Sequence, residues 1–93
     1  MNISVVIPAF NEATVIAETI KKIKKYLQSN NIVGEIIVVD DCSTDNTLAV
    51  LKNISDIKVF KNLKNHGKGY SVRKGVLSAK QDWILFMDAD NST

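Results

Sequence analysis

Cysteine and histidine are each present only once in this 93-residue chain, as Cys42 and His66. A single cysteine cannot form an internal disulfide bond. A single histidine with no cysteine or histidine companion does not make a zinc site. Neither residue is by itself a good candidate for catalysis.

The chain also lacks any apolar run near the ~20 residues that are needed to span a bilayer. Its N-terminus has neither the basic start nor the cleavage region of a signal peptide. We therefore expect no transmembrane segment and a cytoplasmic location. With 45% apolar and 24% charged residues, the composition is that of one soluble globular domain.

Positive charge is in small excess, since the net charge is +2. That value is too low to predict a nucleic-acid ligand. Four lysines nevertheless cluster locally, at positions 21, 22, 24 and 25. They are typical of the solvated face of a helix, and contact with anionic lipid is the alternative.

Apolar patterning predicts alternating strands and helices along the whole chain. Strands are expected at Ile3–Ile7, Glu35–Val39, Ile57–Phe60 and Trp83–Met87. Helical spacing begins at Glu12, near Thr47 and near Gly69, and we expect Asn30, Asn31 and Gly34 to end the first helix. The apolar face of the first helix is expected to carry Ile16, Ile20, Ile23 and Leu27, and that of the third helix Val72, Val76 and Ala79. The order βαβαβαβ predicts a parallel, Rossmann-like α/β sheet, and the last strand should be buried on both faces.

Acidic residues follow the second and the last predicted strands. Asp40 and Asp41 close one, and Asp88 and Asp90 close the other. Because ligands gather beyond the carboxyl ends of parallel strands, these groups should meet at one edge of the sheet. Asp88 and Asp90 are one residue apart, which is typical either of a polar turn or of an oxygen site for Mg²⁺ or Mn²⁺.

The common nucleotide motifs are absent. The turn Pro8–Glu12 has no glycine, so it is not a dinucleotide-binding loop, and Gly67-Lys68-Gly69 lacks the rest of a P-loop. A receiver-type signalling domain would share the wound sheet and the acidic strand ends. A phosphate-containing ligand held through a metal is the other interpretation, with Asp41 free to accept hydrogen bonds from a base or a ribose.

Four motifs in this order resemble the N-terminal part of family 2 glycosyltransferases, in particular the dolichyl- or polyprenyl-phosphate glucosyl- and mannosyltransferases. They are Ser4–Glu12, Val38–Thr47, Asn65–Gly69 and Met87–Asp90. The resemblance covers essentially the whole chain. It implies the nucleotide-binding half of the GT-A fold, a UDP- or GDP-sugar donor and a divalent metal, Mg²⁺ or Mn²⁺.

The resemblance also implies roles for individual residues. Donor-binding residues would be Pro8, Phe10, Glu12, Val39, Asp41, Lys68 and Asp88, and the metal ligands would be Asp88 and Asp90. Phe10 would lie beside the base, unless it is only a hydrophobic staple over the helix start. Lys68 would approach the sugar or the diphosphate, unless its loop is a simple helix-initiating turn. Ser43, Asp45 and Thr47 are expected to fix loops and cap helices. Asp40 has two interpretations: it would either contact the ligand or hold its loop in shape.

The family's enzymes are considerably longer than 93 residues, so residues 1–93 would form only the nucleotide-sugar-binding half of the domain. We therefore expect this chain alone not to transfer sugar, and to lack catalytic residues beyond its metal ligands. The acceptor could be a lipid phosphate, at the cytoplasmic face of a membrane. Apolar surface left uncovered would favour a homo-oligomer. A nucleotide- and metal-binding module without catalysis remains an alternative.

Overall fold

Strands and helices alternate strictly along the chain. The computed structural model describes residues 2–89. Its elements are β1 (Asn2–Ala9), α1 (Ile16–Ser29), β2 (Val33–Asp40), α2 (Thr47–Lys52), β3 (Lys58–Lys61), α3 (Lys68–Ser78) and β4 (Trp83–Phe86). The predicted order βαβαβαβ is confirmed.

The four strands form one parallel sheet in the order β3-β2-β1-β4. The two long strands, β1 and β2, lie at its centre and pair over eight residues each. The apolar side chains in the middle of these strands, at positions 5–7 and 36–39, are almost fully buried, and those on one side of the sheet form the core together with one face of α1. That face carries Ile16, Ile20, Ile23 and Leu27, as the helical spacing predicted.

β1 continues through Pro8 to Ala9, although a proline cannot donate to a sheet. The Met87 N–H donates to the Val6 carbonyl, so the main chain of Val6 faces β4. By the period of two, Pro8 faces the same side. The last residue pair between these strands is Val6 with Phe86, so β4 has ended before Pro8 and no N–H is needed there.

α1 begins at Ile16 rather than at Glu12, because Asn11 has a positive φ of 53° and a turn follows it. It ends at Ser29, and Gly34 lies inside β2 instead of ending the helix. A Cβ on Gly34 would lie 2.8 Å from Leu27 Cδ1. This glycine therefore allows α1 to pack closely on the sheet.

α3 turns a different face to the sheet from the one that its valines predicted. Its buried residues are Ser71 and Gly75, whereas Val72 and Val76 are half-buried. A Cβ on Gly75 would lie 2.3 Å from Val6 Cγ1. Close approach of the helix to β1 thus requires glycine at this position, which overrides the apolar periodicity.

The prediction that the last strand is buried on both faces is wrong. β4 lies at an edge of the sheet, and its four apolar side chains are exposed, from 39% for Ile84 to 63% for Trp83. Its outer edge has no strand partner within residues 2–89. Among the helices of that range, none is long and apolar enough to cross a membrane.

Candidate functional site

An open pocket of about 320 Å³ lies at the carboxyl ends of β1, β2 and β4, beside the start of α3. Its volume is at the lower end of the range for small-molecule sites. The lining residues are Pro8, Ala9, Phe10, Glu12, Asp41, Lys68, Ser71, Asp88 and Ala89. The structure therefore brings together every predicted donor-binding residue except Val39.

Val39 is fully buried in the sheet, where it pairs with Pro8 on one side and Phe60 on the other. Val39 does not line the pocket, and its main-chain contact with a base stays a prediction. Asp90, the second predicted metal ligand, lies outside the described residues.

The loop before α1 is fixed by the loop before α2. The Glu12 N–H donates to Thr47 Oγ1 at 2.8 Å, and the Asn11 N–H donates to Ser43 Oγ at 2.9 Å. In the opposite direction, the Thr44 N–H donates to Asn11 Oδ1 at 2.8 Å. These contacts hold the pocket wall at Phe10 and Glu12 in place.

The remaining polar residues of the second loop support the same arrangement. Asp45 accepts hydrogen bonds from the Thr47 hydroxyl and main chain and from the Ala13 N–H. The Thr47 hydroxyl bond in particular lowers the pKa of Asp45. Asp40 is fully buried and accepts bonds from both the main chain and the hydroxyl of Ser43. Asp40 thus acts on the loop, as one of its two interpretations predicted.

Asp41 was expected to have a free carboxylate, and this expectation is wrong. Oδ1 accepts hydrogen bonds from Asn62 Nδ2 and from the His66 N–H, both at 2.8 Å. Oδ2 accepts one from the Gly67 N–H at 2.9 Å. Burial raises the pKa of Asp41, but the three hydrogen bonds outweigh burial and lower the pKa below its ordinary value.

The ionised Asp41 therefore anchors the turn that begins α3. Gly67 precedes the helix with a φ of 88°, a conformation in which glycine is strongly preferred. Because Gly67 has no side chain, it cannot cap the helix itself. A carboxylate at a helix N-terminus is also favoured by the helix dipole. Any hydrogen bond from a base to Asp41 would have to use the remaining acceptor capacity of its two carboxylate oxygens.

Lys68, the first residue of α3, and Asp88, which lies just after β4, form an ion pair at the pocket. Both side chains are partly exposed, at 66% and 39%. The pair places a cation and a carboxylate on one wall. A lysine ammonium can bind a phosphate oxygen, and a carboxylate can bind a divalent metal.

Two polar residues at this edge had no predicted role in the site. Asn62 is buried directly after β3, and Ser71 is buried one turn into α3, where it lines the pocket. Asn62 follows a strand in the same way as Asp41, which is a signal that sequence reasoning could have used. Ser71 was obscured because the valines beside it defined another helix face.

Comparison with known proteins gives the family. The model of "Glycosyl transferase family 2" matches residues 4–92. The chain belongs to glycosyl transferase family 2. The GT-A-type fold predicted from the motifs is thereby confirmed, and the interpretation as a receiver-type signalling domain is wrong.

Curated members of family 2 align with the whole chain. A dolichyl-phosphate beta-glucosyltransferase of Drosophila melanogaster is 34% identical over 104 residues, covering 100% of this chain and 32% of the relative. The human protein of the same name is 35% identical over 102 residues, covering 98% and 32%. The chain thus spans about a third of the length of these relatives.

Solved family structures superpose well. A mannosyltransferase from Pyrobaculum calidifontis, in complex with GDP-Man and Mn²⁺, has a TM-score of 0.80 at 25% identity, covering 95% of this chain and 27% of that one. Glucosyl-3-phosphoglycerate synthase from Mycobacterium tuberculosis, in complex with Mn²⁺, UDP and phosphoglyceric acid, has a TM-score of 0.77 at 29% identity, covering 95% and 32%.

The residues at the pocket fit a divalent metal that arrives with its ligand. Mg²⁺ and Mn²⁺ favour oxygen ligands, and Mg²⁺ is commonly held by one or two carboxylates plus substrate phosphates. Asp88 supplies one such carboxylate at the pocket wall, where it pairs with Lys68. Residues 2–89 contain no cluster of three or more His, Cys, Asp or Glu that would hold a metal alone.

Proposed function

We propose that this chain is the donor-binding region of an inverting glycosyltransferase, and that it binds a UDP- or GDP-sugar together with Mg²⁺ or Mn²⁺. The observation that carries the proposal is the single pocket that joins Phe10, Glu12 and Asp41 to the Lys68–Asp88 pair. The structures with GDP-Man or UDP and Mn²⁺ support it. On this proposal, residues 1–93 form the nucleotide-sugar-binding half of a longer domain.

Each pocket residue then has a definite task. The ring of Phe10 is 42% exposed at the wall, so its face is available to stack against a base. Lys68 moves from Asp88 to a phosphate oxygen when the donor enters. Asp88 and Asp90 would hold the metal, whose positive charge offsets the charge that develops on the departing nucleoside diphosphate.

The acceptor that we propose is a polyprenyl phosphate, because the curated relatives are named dolichyl-phosphate beta-glucosyltransferases. A phosphate monoester has a second pKa of about 6, so it is mostly ionised at neutral pH and needs little help from a general base. The reaction would take place at the cytoplasmic face of a membrane. We propose that the 93-residue chain binds the donor without transferring its sugar.

Calorimetric titration of the chain with UDP and GDP, each with and without Mn²⁺, tests the proposal. We expect binding that requires Mn²⁺ and is lost in Asp88→Asn. Asp82→Asn is the matched control, because Asp82 is an exposed acid just before the other end of β4. Metal-independent binding, or equal loss in both variants, would contradict the proposal. Measurable turnover of a UDP- or GDP-sugar would contradict the claim that this chain only binds.

We also propose that the chain forms a homo-oligomer through β4. Among the residues that the structure describes, no strand pairs with the outer edge of β4, whose four apolar side chains are exposed, and Leu77 on α3 is 79% exposed. Such an edge pairs readily with its own copy around a two-fold axis. This association would extend the sheet and cover apolar surface on both copies.

A further inference from the structure

Asn62 is a fully buried polar residue to which the proposed function gives no task. It follows β3 directly, and its N–H donates to the Asp40 carbonyl at 2.8 Å. This bond extends the pairing of β3 with β2 by one residue. The main chain of Asn62 is therefore fixed to the sheet beside Asp41.

Its side-chain amide links three groups on two elements. Nδ2 donates to Asp41 Oδ1 at 2.8 Å and to Ser71 Oγ at 3.0 Å, while Oδ1 accepts from Lys74 Nζ at 3.1 Å. A lysine ammonium can only donate, so Lys74 fixes which side of the amide faces it. The two N–H groups must then point to Asp41 and Ser71.

Asp41 connects the Asn62 amide to the pocket. The same Oδ1 that receives the Asn62 amide also receives the His66 N–H, and Oδ2 receives the Gly67 N–H. Lys68, which pairs with Asp88, is the next residue along the chain. A rotation of the Asp41 carboxylate would therefore release the turn that aims Lys68.

We propose that Asn62 is a positioning residue of the pocket: it orients Asp41, which holds the His66–Gly67 turn and so places Lys68 opposite Asp88. The effect on nucleotide affinity rests on the proposed function. The anchoring of the turn does not.

Amide hydrogen exchange measured by NMR on Asn62→Ala tests the inference. We expect the amide exchange rates of His66 and Gly67 to rise about tenfold after correction for any change in the free energy of global unfolding. This factor follows from the loss of one hydrogen bond to a charged group. The pKa of Asp41, followed through its carboxyl carbon, should rise toward its ordinary value. Affinity for UDP or GDP with Mn²⁺ should fall in parallel.

Ser4→Ala is the control for general destabilisation. Ser4 is equally buried and donates to Glu35, but it lies at the opposite end of the sheet. We expect this variant to leave exchange at His66 and Gly67 unchanged relative to global unfolding. Unchanged exchange and an unchanged Asp41 pKa in Asn62→Ala would overturn the inference.

Lys74→Met provides a second test if Asn62→Ala does not fold. It keeps Asn62 and removes the donor that fixes its amide, so exchange at His66 and Gly67 should accelerate in the same direction by a smaller factor. Wild-type exchange rates at both residues would overturn the inference. If the wild-type chain binds neither UDP nor GDP, the proposed function fails, while the exchange rates still decide the role of Asn62.

Discussion

Glu35 lies at the amino-terminal end of the sheet, away from the pocket, and joins three strands. Its carboxylate pairs with Lys58 Nζ at 2.8 Å and accepts hydrogen bonds from Ser4 Oγ at 2.5 Å and the Lys80 N–H at 2.7 Å. Burial raises the pKa of Glu35, but these bonds outweigh it and lower the pKa from 4.5 to about 2. The folded state therefore binds the proton of Glu35 less tightly than the unfolded state does.

The stabilisation by Glu35 should be complete above pH 4.5 and disappear as the pH falls toward 2. It is on the order of 3 kcal/mol by linkage. We expect Glu35→Gln to lower the free energy of unfolding at pH 7, with a difference from wild type that shrinks toward pH 2. Urea unfolding across this range measures it, with Glu18→Gln, an exposed glutamate on α1, as control. A difference that does not vary with pH would contradict this account.

Unlike Glu35, the Lys68–Asp88 pair is expected to contribute little to the free energy of unfolding. Both side chains are substantially exposed, and exposed ion pairs contribute only about 0–1 kcal/mol to stability. Lys68→Gln should therefore leave the free energy of unfolding nearly unchanged while it weakens UDP or GDP binding about tenfold, the effect expected from the loss of one charge-assisted hydrogen bond.

Lys64→Gln is the matched control for Lys68→Gln, since Lys64 is an exposed lysine of the loop that leads into α3 and does not line the pocket. Equal affinities in the two variants would show that Lys68 acts only through net charge. A large loss of stability in Lys68→Gln would contradict the view that the pair serves the ligand rather than the fold.

Individual residues of the site were predictable to different degrees. Position after a strand was sufficient for Asp88, whereas the family resemblance supplied Glu12 and Lys68, and all three line one pocket. The hydrogen-bond partners of Asp41 were not predictable, because Asn62 and the His66–Gly67 turn approach it only through the tertiary fold. The binding roles of all these residues stay predictions.

At the scale of elements, the contact between α3 and β1 depends on a single glycine. Alanine in place of glycine in a helix normally stabilises by about 1 kcal/mol. At Gly75 the added Cβ would lie 2.3 Å from Val6 Cγ1, so either the helix or the strand would have to move. We expect Gly75→Ala to destabilise the fold by about 1–3 kcal/mol, the usual range for overpacking.

Gly69→Ala is the matched control for Gly75→Ala, because Gly69 lies in the first turn of the same helix and a Cβ there would have no neighbour within 4 Å. It should be neutral or slightly stabilising. Chemical unfolding of both variants measures the difference. Equal stabilities would show that α3 does not pack on β1 as closely as the structure has it.

Local pattern was sufficient to predict the elements themselves but not their faces or their exposure. Period-two and helical spacing located all four strands and all three helices to within a few residues. The apolar run of β4 predicted that the strand is buried. Burial, however, depends on whether other elements cover the strand, and the sequence of the strand alone does not contain that information. Val72 and Val76 suggested the wrong face of α3, because a small residue can bring a helix closer than a large one.

At the scale of the whole molecule, the exposed strand β4 leads to a prediction about assembly. Light scattering at high concentration should show a dimer or larger oligomer. Leu85→Lys places a charge on the apolar edge strand and should return the chain to a monomer. Lys52→Leu, on α2 and away from β4, should not. A wild-type chain that is monodisperse and monomeric would contradict the proposed self-association.

We propose that a nucleotide and a divalent metal meet at the carboxyl edge of the sheet. Paramagnetic broadening by Mn²⁺ in the presence of UDP or GDP tests it most directly, because the effect reports distance from the metal. We predict that the amide signals of Gly67, Lys68, Asp88 and Ala89 broaden, while those of Val33 and Gly34 at the opposite end of the sheet stay sharp. Broadening centred elsewhere, or none at these four residues, would contradict the account.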